Sequence, residues 1–152
     1  MPISPKRRMR VLVACECSNT VRDAFLRKGH DVYSCDLRRA DHPNVNNRRH
    51  IRGDVRPLLR EPWDLVIAHP PCTYLSIVSC SNWIGGIGGA AQPNATRIQQ
   101  AAMFFLECIN ANALRVCVEN PRMHSYAKEL ITVEHDQEIQ PWQFGHPYRK
   151  AT

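Results

Sequence analysis

In the stretch DLVIAHPPCTYLS a cysteine, Cys72, follows two consecutive prolines, and 47 residues later Glu119 opens the triplet Glu-Asn-Pro in RVCVENP. Each group stands just behind a short apolar run of the kind that forms a buried strand. Pro70 and Pro71 lack the N–H that a strand ladder needs and fix their own φ, so they end the first run and hold Cys72 past its tip. A thiolate placed there can add to an electron-poor ring carbon. A carboxylic acid across the same site can protonate or hold a ring nitrogen, removing the charge that the addition builds up. The plainer assignment for a free thiol is a small buried hydrophobe, and that is the expectation for most of the other six, Cys15, Cys17, Cys35, Cys80, Cys108 and Cys117.

Three more acids, Glu16, Asp36 and Asp54, stand at or just after predicted strand ends. Asp36 falls about 20 residues beyond the first strand's turn, where a carboxylate accepts hydrogen bonds from ribose hydroxyls in nucleotide-binding α/β folds; a solvated strand-end acid is the simpler alternative. The first turn, ACECSNT, has Asn19 and Thr20 where a phosphate-binding loop has glycines. A cofactor with ribose and adenine but no pyrophosphate fits such a turn, and S-adenosylmethionine meets that description. Metal chemistry is disfavoured: no C-x-x-C or H-x-x-x-H pair occurs, and the second cysteine that zinc deaminases place after Pro-Cys is missing.

The elements that must position these groups alternate strand and helix. RVLVACE (Arg10–Glu16) predicts a buried parallel strand. TVRDAFLRKGH predicts a helix with Thr20 as N-cap, Asp23 in its first turn, Gly29 just past its end and Val21, Ala24 and Phe25 on its inner face. DVYSCDL, RHIRGDV, DLVIAHPPC and RVCVENP supply four further strands. Ile77–Thr96, with Gly85, Gly86, Gly88 and Gly89, predicts a mobile loop. ATRIQQAAMFFLECINAN repeats Ile98, Ala102, Phe105 and Ile109 at helical spacing, SYAKELI a short helix, and EIQPWQFGHPYRKAT a closing strand and turn. Five strands alternating with helices predict a doubly wound, mostly parallel α/β sheet, Rossmann-like and three-layered. Ligands of such sheets gather outside the carboxyl ends of the strands, which puts Glu16, Asp36, Asp54, Cys72 and Glu119 on one rim.

The chain of 152 residues, 43% hydrophobic, suffices for one domain with a core of its own, and no linker or repeat divides it. No apolar run reaches membrane-spanning length, and VLVAC is too short for a signal-peptide core. Seven irregularly spaced cysteines argue against a disulfide framework and for a reducing cytoplasm. A net charge of +6 suits a polyanionic partner, nucleic acid first, though a merely soluble basic protein carries such a charge as well.

At HPPC and VENP the chain resembles the cytosine carbon-5 DNA methyltransferases, and most closely their short phage and prophage relatives. The resemblance implies Cys72 as nucleophile, Glu119 as catalytic acid and Asn120 as the brace of its loop. It implies S-adenosylmethionine binding by the first loop (Cys15, Glu16, Ser18, Thr20), by Asp36 and Leu37 at the ribose, by Asp54 and Val55 at the adenine, and by Pro70. FGHPYRKAT resembles the start of the family's basic active-site motif, with Lys150 near its first arginine. Amino-directed DNA methyltransferases require an aromatic residue after the double proline; Cys72 in that position argues for ring-carbon chemistry. His69 and Asn19 depart from the family pattern, which has a small residue and a glycine there. The family also implies a glycine-rich loop, including Trp83, that closes over DNA. Residues 1–152 match the catalytic domain without a target-recognition region, and if the family's further core strand inserts beside the fifth, its absence leaves RVCVENP with an unpaired edge suited to forming a homodimer.

Two rival readings accompany this one. A degenerate methyltransferase fold could bind nucleic acid or a partner without catalysis, and a thiol attacking the same ring carbon could modify free pyrimidine nucleotides.

Overall fold

The computed structural model describes residues 7–42, 45–79 and 91–149. Strands β1 (Arg10–Ala14), β2 (Asp31–Asp36), β3 (His50–Arg52), β4 (Leu65–Ala68) and β5 (Val116–Val118) form one sheet, ordered β3-β2-β1-β4-β5, in which every pairing is parallel. Helices α1 (Thr20–Arg27), α2 (Arg56–Leu59), α3 (Ala91–Ile109) and α4 (Ser125–Leu130) intervene, with 3₁₀ turns at Val45–Arg49 and Pro141–Phe144. This is the Rossmann-like α/β fold that the alternating pattern predicts. The chain runs outward from β1 to β3 and then returns to the other side of β1, so strand order reverses between β1 and β4. Ligand sites of open parallel sheets form at such reversals.

Central strands of a parallel sheet are covered on both faces and so read as continuous apolar runs. In β1, Val11, Leu12, Val13 and Ala14 are all fully buried. Val11, Val13 and Val32 pack with Val21, Phe25 and Leu26 of α1 and with Leu65 and Ile67 of β4. The chain divides into two compact units, one of residues 1–69 and 107–118 that holds the whole sheet, the other of residues 70–106 and 119–152. The second has buried apolar groups of its own, among them Leu75, Ile98, Ala102, Phe105, Ala127 and Ile131. Ile98, Ala102 and Phe105 line one face of α3, as their spacing requires.

Four expectations need correction. Helix α1 starts at Thr20, but its N-cap is Asn19, whose side chain makes no capping bond, and Asp23 bonds to Arg22 Nε instead of serving a cap. Helix α3 begins at Ala91, inside the segment expected to be a loop; Pro93 lies in its first turn, where a missing N–H breaks no helical bond. The C-terminal segment is a 3₁₀ turn held by a reciprocal capping box between Gln140 and Gln143, with Gly145 at φ 87° after it, and among the described residues it pairs with no strand. The remaining described thiols are not mostly buried: Cys35 and Cys108 are fully buried packing groups as expected, but Cys15 and Cys17 are half-buried and Cys117 is exposed on the outer strand β5. Gly29 takes the left-handed conformation expected after α1, at φ 86°. Residues 80–90, with Cys80, Trp83 and the four glycines, and Lys150 lie outside the described residues.

Candidate active site

In the sheet-bearing unit, the loop from β1 to α1 turns through two left-handed residues, Cys15 at φ 58° and Asn19 at φ 69°. Asparagine is among the few residues that tolerate this conformation, which accounts physically for Asn19 where the resemblance leads one to look for glycine. Between them Glu16, only 5% exposed, turns its carboxylate onto the start of α1. Its Oε1 accepts from Val21 N at 2.6 Å and from Ser18 Oγ at 3.2 Å, and its Oε2 accepts from Arg22 N at 3.1 Å. The helix N-terminus, where nucleotide-binding folds seat a phosphate, thus already holds an anion. Asn19 Oδ1 is buried and has no hydrogen-bond partner among the described residues. Two buried acceptors three residues apart in one turn, Glu16 and Asn19, suit a cationic or N–H-bearing group and repel a phosphate.

The loop after β2 is zipped onto this turn. Asp41 N donates to Cys17 O at 2.8 Å, and Asn19 Nδ2 and Asn47 Nδ2 both donate to His42 O. From the buried Arg22 a chain of hydrogen bonds runs out to the surface, one that no pattern in the sequence announced. Arg22, fully buried, donates to Asp23, to Ser34 Oγ and to Asn47 Oδ1; Ser34 Oγ meets His50 Nδ1 at 2.9 Å, and His50 Nε2 donates to Arg38 O at 2.9 Å. The final acceptor is a carbonyl, so Nε2 carries a proton, and in the neutral ring Ser34 donates to Nδ1.

Asp36 ends β2 half-buried, with Oδ1 accepting from Arg38 N, and the adjacent Leu37 is 74% exposed. Asp54, beyond β3, gives one oxygen to Arg56 N and the other to Arg56 Nη1. The backbone N–H and then the guanidinium of Arg56 lower its pKa. Val55 is buried and leads into α2. Cys15 is pushed up to about 12, first by burial and then by the neighbouring Cys108 and Asp36, so it stays a neutral thiol and no rival nucleophile.

Cys72 and Glu119 both belong to the second unit. Cys72 follows β4 by four residues and Glu119 follows β5 by one, and β4 and β5 are neighbours with Ala68 opposite Val118. The two loops are stapled by a short antiparallel pairing: Ile77 N donates to Arg122 O at 2.9 Å, His124 N donates to Leu75 O at 3.1 Å, and Ser76 bridges Met123. Cys72 opens a tight turn whose Leu75 and Ser76 N–H groups both donate to its carbonyl. The half-buried thiol therefore rests on backbone that cannot swing freely. Pro70, two residues before it, is buried. Asn120 Nδ2 donates to Pro121 O at 2.6 Å, bracing the turn after Glu119, while its buried Oδ1 has no partner among the described residues.

Three further residues, unnoticed in the sequence, complete this arrangement. His124, 5% exposed, accepts from Ala127 N at Nδ1, capping α4, and donates from Nε2 to Tyr74 O at 2.8 Å. Arg97 of α3 donates to Tyr74 Oη at 2.8 Å and lies over its ring. Tyr74, two residues from the thiol, is thereby held at backbone and hydroxyl alike. A histidine directly before a predicted helix was the available signal for the capping role.

Two shallow clefts of the sheet-bearing unit contain none of these residues. One, of about 240 Å³, is lined by Arg56, Leu59, Arg60, Glu107 and Asn110; the other, of about 350 Å³, lies around Arg10, Trp63 and Leu114 at the opposite ends of the strands. Among the described residues no group of three or more His, Cys, Asp or Glu is arranged to hold a metal, and no helix is long and apolar enough to cross a membrane. A search against protein-family models finds no match to this chain, and neither does a comparison with curated proteins.

Proposed function

We propose that this chain is an S-adenosylmethionine-dependent methyltransferase acting on carbon 5 of cytosine in DNA. The observation that carries the reading is the placement of a thiol and a carboxyl group, 47 residues apart in sequence, after neighbouring parallel strands and on loops stapled to each other. Glu16 on the α1 N-terminus supports a cofactor without phosphates, and the acceptor set of Glu16 and Asn19 suits its ammonium group. Asp36 would hold the ribose. Asp54 would take the adenine amino group, after yielding one of its two contacts to Arg56.

S-Adenosylmethionine, when bound, supplies an electrophilic methyl group on a sulfonium. Cys72 thiolate adds to carbon 6 of a cytosine turned out of its stack, while Glu119 in its acid form gives a proton to ring nitrogen 3. Carbon 5 is then enamine-like and nucleophilic toward the methyl group. Loss of the carbon-5 proton to solvent re-forms the 5,6 double bond, breaks the S–C6 bond and returns the nitrogen-3 proton to Glu119. Asn120 and the His124–Tyr74 bond keep the two loops in register during this cycle.

Replacing the carbon-5 hydrogen with fluorine blocks the elimination, so DNA bearing 5-fluorocytosine should remain covalently attached. Mass spectrometry of wild type with this DNA and the cofactor should show one adduct at Cys72. Cys72→Ala should show none while keeping its cofactor affinity. Cofactor binding with no adduct on wild type would overturn the assignment. We further propose that β5, the outer strand with Cys117 exposed, pairs two copies edge to edge; sedimentation showing a monomer throughout the micromolar range would refute this.

A further inference from the structure

Between Asp36 and Arg56 the sequence holds six arginines, no lysine and three aspartates. This one segment carries a net +3 of the chain's +6. The fold gathers several of these guanidiniums at the outer edge of the sheet. Among the described residues β3 pairs with β2 alone, Asp36 standing opposite Arg52, and the chain just beyond β2 stays against β3. His50 Nε2 donates to Arg38 O, Arg52 Nε donates to Leu37 O at 3.3 Å, and Gly53 N donates to Asp36 O. Since adjacent strands run about 5 Å apart, Arg38, Arg39 and Arg52 leave the backbone from neighbouring positions, and Arg48 precedes β3 by two residues.

Charge partners divide this group. Arg49 is paired with Asp31, Arg38 with Asp41, and Arg56 with Asp54 and Glu107. Arg39, Arg48 and Arg52 are exposed and have no carboxylate partner among the described residues. Protection of an open sheet edge explains a charge on β3 itself; it does not explain Arg39 and Arg48, which lie outside the strand. Nor does it explain the exclusive use of arginine, whose planar fork matches phosphate oxygens two at a time. The Arg22–Ser34–His50 chain ties α1, β2 and β3 together at this edge, which lowers the backbone ordering needed when an anion docks.

We infer that Arg39, Arg48 and Arg52 form a docking track for the DNA sugar–phosphate backbone, on the β3 edge of the sheet-bearing unit. The identity of the partner rests on the reading above. Each phosphate neutralised releases counterions and contributes about 0.9 to the slope of log affinity against log salt. Three contacts therefore make the affinity ratio of wild type to Arg39→Ser/Arg48→Ser/Arg52→Ser shrink about 40-fold between 50 and 200 mM NaCl.

The test is fluorescence anisotropy of a labelled 20-base-pair DNA duplex over that salt range, on wild type, the triple variant and a charge-matched control, Arg60→Ser/Arg115→Ser/Lys128→Ser. The expected result is a slope shallower by about 2.7 for the triple variant and nearly unchanged for the control. Equal losses in both variants, an unchanged slope in the triple variant, or duplex RNA bound tenfold more tightly than DNA would overturn the inference. Circular dichroism melts keep an unfolded variant from being scored. Adduct formation with 5-fluorocytosine DNA is read on the wild type alone. An intact adduct with an unchanged slope removes only the docking track; a missing adduct with the expected slope removes only the catalytic reading.

Discussion

If Glu16 is the built-in anion of helix α1, removing its carboxylate should both destabilise the protein and create a phosphate site. In Glu16→Ala, the N–H groups of Val21 and Arg22 lose acceptors at 2.6 and 3.1 Å in a region where Arg22 is fully buried and water cannot readily replace them. Capping bonds contribute about 0.5–2 kcal/mol and bonds to a charged group about 1.5–3 kcal/mol, so a loss of about 3 kcal/mol is expected. At roughly 2–4 °C per kcal/mol for a chain of this size, Tm should fall by about 10 °C. The vacated helix end should then accept an inorganic anion. With a Kd of about 10 mM, 100 mM phosphate should return about 1.4 kcal/mol to the variant through binding to the folded state alone. The assay is urea denaturation of wild type and Glu16→Ala, in phosphate and in sodium chloride of equal ionic strength. A variant within 0.5 kcal/mol of wild type, or an equal response of both proteins to phosphate, would show that the carboxylate does not occupy an anion site.

Arg22→Ala leaves Ser34 and Asn47 without their donor and should cost about 3–5 kcal/mol, whereas Arg22→Met keeps the volume and should cost clearly less; equal losses in urea denaturation would refute a role for the polar contacts. Burial raises Cys35 to about 11 and Cys108 to about 12. The unfolded chain therefore releases these two protons at lower pH than the folded one, and stability should decline as pH rises from 9 toward 12, by at most about 1.4 kcal/mol per pH unit for each thiol. Cys35→Ala/Cys108→Ala should reduce that decline, leaving the share of Cys15, which burial also pushes up to about 12; an unchanged profile would mean other groups cause it. His124→Ala loses the α4 cap and the bond to Tyr74 O, so 5-fluorocytosine adducts should form at least tenfold more slowly with cofactor affinity unchanged. An unaltered adduct rate would reduce His124 to a helix cap.

Read alone, the order of residues determined the α/β class, because an apolar run of period one and an apolar stripe of period 3.6 are local signals. It also determined the position of Cys72 and Glu119 behind strands, since proline ends a strand by its own covalent structure wherever it occurs. That β4 and β5 are neighbours, that their loops are stapled, and that Arg22 lies buried under a serine–histidine relay were decided only by the tertiary structure. These features depend on pairings 12 to 50 residues apart, for which no local pattern exists. The cap of α1 makes the same point at short range: composition favoured Thr20, but the left-handed Cys15 and Asn19 swing Glu16 onto the helix end, where a full negative charge outcompetes a hydroxyl for the orphan N–H groups.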